Sequence, residues 1–213
     1  MRISSSMLMG LLLLVHIAHN TALARQHGVS VSNSAGAEPG NSQLTILGIS
    51  IGADTLKTVQ EKLGSSKPCL ISEHLTTLGY RVGNGTLLFE SSDIGGGDIT
   101  GLVLKLSQGH PACDLPAPRT VPVVLGTDGG VHLGMTQSEF TKIFGSPQKT
   151  TPNGNFVYQW LRTEKLSKAK QRAADQALPG AGTDGAVDIL TTIEARFSAK
   201  GLTYFYISRI ESL

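Results

Sequence analysis

One short motif in the chain has the residue types of a nucleophilic enzyme. Gly48-Ile49-Ser50-Ile51-Gly52 matches the Gly-x-Ser-x-Gly turn that presents a catalytic serine in α/β-hydrolases. The helix-like segment after it begins several residues beyond Ser50, whereas the hydrolase turn leads directly into its helix. We therefore interpret the two glycines as structural and predict no catalytic residues. A serine hydrolase that uses Ser50 remains an alternative.

The same pattern recurs in the second half of the chain. Gly130-Val131-His132-Leu133-Gly134 precedes a helix-like segment at residues 136–145, just as the first motif precedes one at residues 55–64. The two copies share the glycines and the alternating apolar residues, while Ser50 and His132 occupy the free position between them. This comparison favours a duplicated structural element over a catalytic one.

Each copy predicts the same small unit. A short strand precedes a capped amphipathic helix, and Gly64 and Gly145 occupy the C-terminal position that requires a positive φ. Segments rich in β-branched and aromatic residues follow each helix and predict strands. These segments are residues 70–74, 79–82, 86–90, 99–106, 156–162, 187–197 and 202–210. The sequence thus predicts an α+β fold of two tandem modules, each a short strand, one helix and a three- to four-stranded antiparallel sheet.

The modules are expected at residues 44–126 and 127–213. A polar stretch at residues 164–185, which contains Pro179-Gly180-Ala181-Gly182, predicts a flexible insertion in the second module. Residues 25–43 lack apolar periodicity and are expected to form a disordered lead-in.

The first 24 residues have the features of a secretory signal peptide. Arg2 precedes a run of apolar residues at 7–18, and Ala22-Leu23-Ala24 matches a cleavage site. The apolar run is too short for an ordinary membrane span. We expect a periplasmic or secreted protein with no integral membrane segment after signal removal, and an uncleaved anchor is the alternative.

Export would determine the redox state of the two cysteines. An oxidising compartment favours a disulfide between Cys69 and Cys113. Free thiols, or a metal site that includes His110, are the alternatives. His74, His110 and His132 are dispersed and lack the spacing of metal ligands, so no metal and no cofactor are predicted.

Four aromatic residues on predicted strands are candidates for binding: Tyr158, Trp160, Tyr204 and Tyr206. Aromatic side chains dominate the energetics of protein interfaces, although packing in the core explains the same residues. Alternation along the last strand separates the two roles. It places Tyr204 and Tyr206 on one side and Phe205 and Ile207 on the other, which we expect to be the core side.

The motif around each helix resembles one found in small exported bacterial domains. These include the SmpA/OmlA lipoproteins of outer-membrane assembly and the β-lactamase inhibitor protein. The matching residues are 131–134, Thr136, Phe140, Phe144, Gly145 and Pro147 in the second copy, and 49–52, Thr55, Val59, Leu63 and Gly64 in the first. The resemblance implies an exported protein with tandem helix-plus-sheet modules. No cysteine for a lipid anchor follows the signal here.

These observations predict a function class. The 213-residue chain has 18 basic and 16 acidic residues, and this formal net charge of +2 argues against a dedicated nucleic-acid binder. We expect an exported, non-enzymatic binding module that recognises a protein partner through its sheet face. The serine hydrolase and an envelope assembly or structural factor are the alternatives, and the oligomeric state is not predicted.

Overall fold

The computed structural model describes part of the chain, all of it within one compact unit, Ala35–Leu213. The described residues are 37–72, 74–92, 97–107, 113–120, 122, 124–168, 171, 172, 176 and 185–212. The predicted signal peptide, most of the predicted lead-in and most of the predicted insertion lie outside these ranges. Within these ranges, no helix is long and apolar enough to cross a bilayer.

Two helices form where the sequence predicts them, α1 at Leu56–Leu63 and α2 at Gln137–Phe144. The hydroxyl of Thr136 accepts a hydrogen bond from the backbone N–H of Glu139, and the Glu139 carboxylate accepts one from the Thr136 N–H at 2.7 Å. These reciprocal bonds satisfy two N–H groups that a helix start otherwise leaves unpaired. The bond from the Thr136 N–H, and a further bond from the Thr136 hydroxyl to the same carboxylate, lower the pKa of the Glu139 carboxyl, because they stabilise its charged form.

Ten strands account for most of the remaining regular structure in the described ranges. They are β1 Thr45–Ile46, β2 Ile49–Ser50, β3 Cys69–Ser72, β4 Leu75–Val82, β5 Gly85–Ser92, β6 Ile99–Lys105, β7 Lys149–Thr150, β8 Phe156–Lys165, β9 Ala186–Ser198 and β10 Gly201–Ser212. Strands β1 and β2 form a hairpin of their own. The other eight form one antiparallel sheet in the order β3-β4-β5-β6-β10-β9-β8-β7.

The predicted α+β fold of two tandem modules is wrong. The described residues are mostly β, with the short helices α1 and α2, and the strands β3–β6 of the first half and β7–β10 of the second belong to a single sheet. The physical reason lies at the join, where β6 and β10 pair with each other and so leave neither half with an open edge there. Periodicity within one half does not reveal such a pairing. The boundary between residues 126 and 127 stays a prediction.

One hydrophobic core runs under both halves of the sheet on the side of the helices. Phe140 and Phe144 of α2 contact the ring of Phe205 in β10, with centroids 6.1 and 6.4 Å apart. Val59 and Leu63 of α1 are buried in the same core. Because both helices cover the same face of the sheet, the opposite face has no helix on it in the described ranges.

The duplicated glycines connect each motif to the sheet. The N–H of Gly52 donates to the carbonyl of Ile99 at 2.7 Å, and the N–H of Gly134 donates to the carbonyl of Leu202 at 2.8 Å. Ile99 and Leu202 lie at the beginnings of β6 and β10, the last strand of each half. Both glycines have a positive φ, 76° and 86°, which costs other residues conformational energy. This explains why glycine recurs at this position in both copies.

A second duplicated contact was not predicted. The hydroxyl of Tyr80 in β4 donates to the carbonyl of Gly64 at 2.7 Å, and that of Tyr158 in β8 donates to the carbonyl of Gly145 at 3.0 Å. Both tyrosines are fully buried. Each bond therefore satisfies a buried hydroxyl and fixes the end of a helix to the sheet.

The predicted disulfide between Cys69 and Cys113 is confirmed, with Cα atoms 5.3 Å apart. It ties the segment after Cys113 to β3. In that segment, Leu115 packs directly on Gly79, where a Cβ would overlap it. These residues, 113–120, which we call the disulfide segment, therefore cover part of β4 on the face opposite the helices.

Gly145→Ala should destabilise the protein by about 1–3 kcal/mol. Gly145 ends α2 with φ 77° and ψ −167°, a backbone region that only glycine adopts readily, so alanine there is strained. The positive φ predicted for Gly64 and Gly145 is confirmed at both positions. Urea unfolding measures the loss, and Ser146→Ala at the exposed neighbour is the control. Equal stability of the Gly145→Ala and control variants would contradict this explanation.

Candidate functional site

The four aromatic binding candidates do not share a surface. Tyr158 is fully buried against α2, with its ring 6.0 Å from that of Phe140, and Trp160 stacks on it at 5.8 Å. Both lie on the helix side of the sheet. Tyr204 and Tyr206 lie on the opposite side, because they alternate along β10 with Phe205 and Ile207, whose side chains are buried in the core.

The alternation predicted for β10 is confirmed. Phe205 and Ile207 are fully buried in the core, whereas Tyr204 and Tyr206 are half-buried. Tyr204 lies opposite Lys105 of β6, and Tyr206 lies opposite Val103. The two tyrosines are therefore neighbours on the face that the helices do not cover.

We call this side of strands β5, β6, β10, β9 and β8 the open face. The register of these strands places on it a set of partly or fully exposed side chains, together with Thr86, Leu88, Val103 and Ser208, which are buried. The exposed and half-buried residues on it include Glu90, Lys105, Leu161, Leu190, Glu194, Arg196, Tyr204, Tyr206 and Ile210. Leu161, Leu190 and Ile210 are directly paired across β8, β9 and β10, so they form an apolar row at one end.

A closed set of polar contacts holds Arg196 over Tyr204. The guanidinium carbon of Arg196 lies 4.9 Å from the centre of the Tyr204 ring, a cation–π distance. Its Nε donates to Asn155 Oδ1 at 3.2 Å, and Asn155 Nδ2 donates to Glu194 Oε1 at 2.8 Å. Arg196 Nη2 also pairs with Glu194 Oε1 at 3.4 Å. Since every member bonds the next, the position of the guanidinium is set before any partner binds.

Glu90 lies beside Tyr206 without a cation of its own. It pairs in register with Gly101, where an added Cβ would lie 2.8 Å from Glu90 Oε2 and 3.4 Å from the Tyr206 ring. The glycine therefore leaves the space that the carboxyl group occupies. Among the described residues, no lysine, arginine or histidine forms an ion pair with it.

Burial sets the protonation of this pair. It raises the pKa of Glu90 to about 7, because the ionised carboxylate loses hydration. Burial, followed by the negative charge of Glu90, raises the pKa of the Tyr206 hydroxyl to about 12. Lys105 on the same face has its pKa lowered by burial. Near neutral pH the open face thus presents a carboxyl group that releases its proton to solvent readily when a cation comes close, because the cation stabilises the carboxylate.

Ser50 makes contacts that explain its place in the fold. Its hydroxyl lies 2.8 Å from that of Thr45, its cross-strand partner, and its N–H donates to Asp54 Oδ2 at 2.8 Å. No histidine is hydrogen-bonded to Ser50 in the described part of the chain. Within the same part, no cluster of three or more His, Cys, Asp or Glu residues could hold a metal ion. His110 lies outside it.

Sequence reasoning missed Glu90, Gly101, Glu194 and Arg196. A glycine within a strand pattern is a signal of close approach, and Gly101 in the predicted strand 99–106 offered it. No comparable signal existed for Glu90, since its contact with Tyr206 depends on the pairing of β6 with β10.

Comparisons with protein-family models, curated proteins and solved structures found no match for this chain. The resemblance to the SmpA/OmlA and β-lactamase-inhibitor domains therefore stays a prediction.

Glu90 should make the protein less stable as the pH rises from about 4.5 to about 7. Folding raises the pKa of this acid, so the native state holds the proton in an interval where the unfolded chain has lost it. Glu90→Gln should abolish this dependence and raise the free energy of unfolding at about pH 8 by roughly 1–3 kcal/mol. Urea unfolding at acidic and alkaline pH measures it.

The control is Glu61→Gln on α1, where the side chain is largely exposed. This variant should keep the pH dependence of the wild type. If the Glu90→Gln variant also keeps it, the carboxyl group of Glu90 is hydrated in the native protein and the description of the open face is incorrect.

Proposed function

We propose that this protein is an exported, non-enzymatic binding module that recognises a protein partner through the open face. The observation that carries the proposal is the arrangement of Tyr204 and Tyr206. They lie side by side, half-buried, between the fixed Arg196 guanidinium and the Glu90 carboxyl group, which has no cationic partner among the described residues.

The size of the face favours a macromolecule over a small ligand. Five strands about 4.8 Å apart, each about seven residues long at about 3.3 Å per residue, span roughly 24 by 23 Å, and every second residue of a strand faces this side. This extent approaches the low end of specific protein interfaces. Affinity on so small a surface depends on a few anchors, and tyrosine and arginine are the residue types most often found as anchors.

The anchors lose little conformational freedom on binding. Arg196 is already held by Asn155 and Glu194, the Tyr204 ring lies under its guanidinium, and the Tyr206 ring lies close to Gly101. Side chains that are ordered before association avoid most of the entropy cost of an interface. The apolar row of Leu161, Leu190 and Ile210 adds area that is favourable to bury.

Glu90 indicates the chemistry of the partner. A lysine or arginine placed beside Tyr206 would pair with the carboxylate and contact the ring face. Such a cation would also shift Glu90 fully to its ionised form, because an opposite charge lowers a carboxyl pKa. We therefore infer a protein partner that inserts a basic side chain at this point.

Export is part of the proposal. The Cys69–Cys113 disulfide fits an oxidising compartment. The first 24 residues, which have the features of a signal peptide, also favour a periplasmic or secreted protein.

The proposal predicts crosslinks from one side of the sheet only. A photoreactive residue at Thr192, on the open face, should capture a partner of defined mass in the native compartment. The same residue at Lys142, on the outer side of α2, should not. Equal capture of the same protein from both positions would contradict a defined binding face.

With that partner purified, Tyr206→Ala and Tyr204→Ala should each weaken its binding about tenfold or more, as measured by calorimetry. Trp160→Ala is the matched control, an aromatic residue of similar exposure on the helix side, and should bind as the wild type does. Unchanged affinity of both tyrosine variants would overturn the proposal. So would an ester or peptide hydrolase activity that is lost in a folded Ser50→Ala variant.

A further inference from the structure

The outer edge of β8 is covered over only part of its length. Strand β7 pairs with it at Phe156 and Val157 alone. The side chain of Gln148 then bonds both backbone groups of Gln159, accepting from its N–H at 2.6 Å and donating to its carbonyl at 2.7 Å. Beyond Gln159, no strand in the described part of the chain pairs with this side of β8.

Gln159 also shows which backbone groups point outward. Since its N–H and carbonyl both face Gln148, the odd-numbered residues of β8 direct these groups away from β9. The β8–β9 register has no irregularity from Phe156 to Lys165. Leu161, Thr163 and Lys165 therefore present three N–H and three carbonyl groups to the outside, where a further strand can add.

We infer that this edge pairs with the same edge of a second copy of the chain, antiparallel and centred on Thr163. Outward-pointing residues must face each other in such a pair, so Thr163 faces Thr163 and Leu161 faces Lys165 of the other copy. A centre at Leu161 would set Thr163 against Gln159, whose backbone N–H and carbonyl are already bonded to Gln148. A centre at Lys165 would run past the end of the strand. A centre at Arg162 or at Glu164 would set two like charges directly opposite each other.

The charges on the edge favour this register. Between the outward residues, it sets Arg162 of each copy directly opposite Glu164 of the other. Directly opposed unlike charges stabilise a strand pair, whereas like charges destabilise it. Within one chain Arg162 already forms ion pairs with Glu164 at 2.8 Å and with Glu38 at 2.9 Å, and the side chains of Arg162 and Glu164 both reach solvent. The dimer therefore forms a row of four alternating charges on the helix side, with Glu38 of each copy beside its own Arg162.

On the open face, the side chains of the two paired edges also fit against each other. Leu161 has 57% of its surface exposed, and in this register it lies against Lys165 of the second copy. The aliphatic part of a lysine covers apolar surface while its ammonium group stays in water. Thr163 donates to Asp188 within its own chain at 2.6 Å, so its side chain is already satisfied.

The pairing would place the open faces of both copies on one side of a continuous sheet, because the two-fold axis is perpendicular to it. It does not depend on the proposed function. Five paired residues make a small interface, so we expect association that depends on concentration between about 10 µM and 1 mM.

Sedimentation of the exported chain over that range tests the inference. The wild type should shift from the mass of one chain towards that of two. The Thr163→Pro variant should remain at the mass of one chain, because proline removes an outward N–H group that does not bond to β9. Thr163→Val is the control and should still associate. Circular dichroism verifies that each variant is folded.

A second variant keeps the test decisive if Thr163→Pro fails to fold. Glu164→Arg, at an exposed position, sets arginine against Arg162 of the other copy and should weaken association about tenfold. A wild type that stays at one chain at 1 mM would overturn the inference. So would a dimer whose affinity is unchanged by Glu164→Arg, since it would use another surface.

Discussion

The pairing of β6 with β10 is the constraint on which the rest of the structure depends. Each half of the chain contributes four successive strands to the large sheet, and each set would end in an open edge if the halves stayed apart. Joining the last strand of one to the last strand of the other removes both edges. The same join sets Tyr204 and Tyr206 of β10 beside Lys105 and Glu90. The proposed binding face therefore exists only because the two halves share a sheet.

The contacts that hold the helices repeat in both halves. A glycine with positive φ bonds each motif to the last strand of its half, and a buried tyrosine bonds the end of each helix to the sheet. These bonds set the helices on one side, because both tyrosines point to the core. The opposite side is left for other contacts, and in the first half the disulfide segment occupies part of it through Leu115.

Local features were readable from the sequence because their causes are local. The Thr136 capping box, the glycines that end the helices and the alternation of Phe205 with Tyr206 each depend on residues a few positions apart. The disulfide was readable because only two cysteines exist. The single sheet was not, since the β6–β10 register joins distant segments with no pattern in common. For the same reason the sequence grouped Tyr158 with Tyr206, although β8 directs its even-numbered residues to the core.

The central claim is that the open face contacts another protein, and hydroxyl-radical footprinting of the tyrosines tests it most directly. The protein would be oxidised in its native compartment and, separately, after purification. We expect Tyr204 and Tyr206 to react in the purified protein and to be protected in the compartment. Tyr80 and Tyr158 should resist oxidation in both, because they are buried. Equal oxidation of Tyr204 and Tyr206 in the two samples would contradict the account.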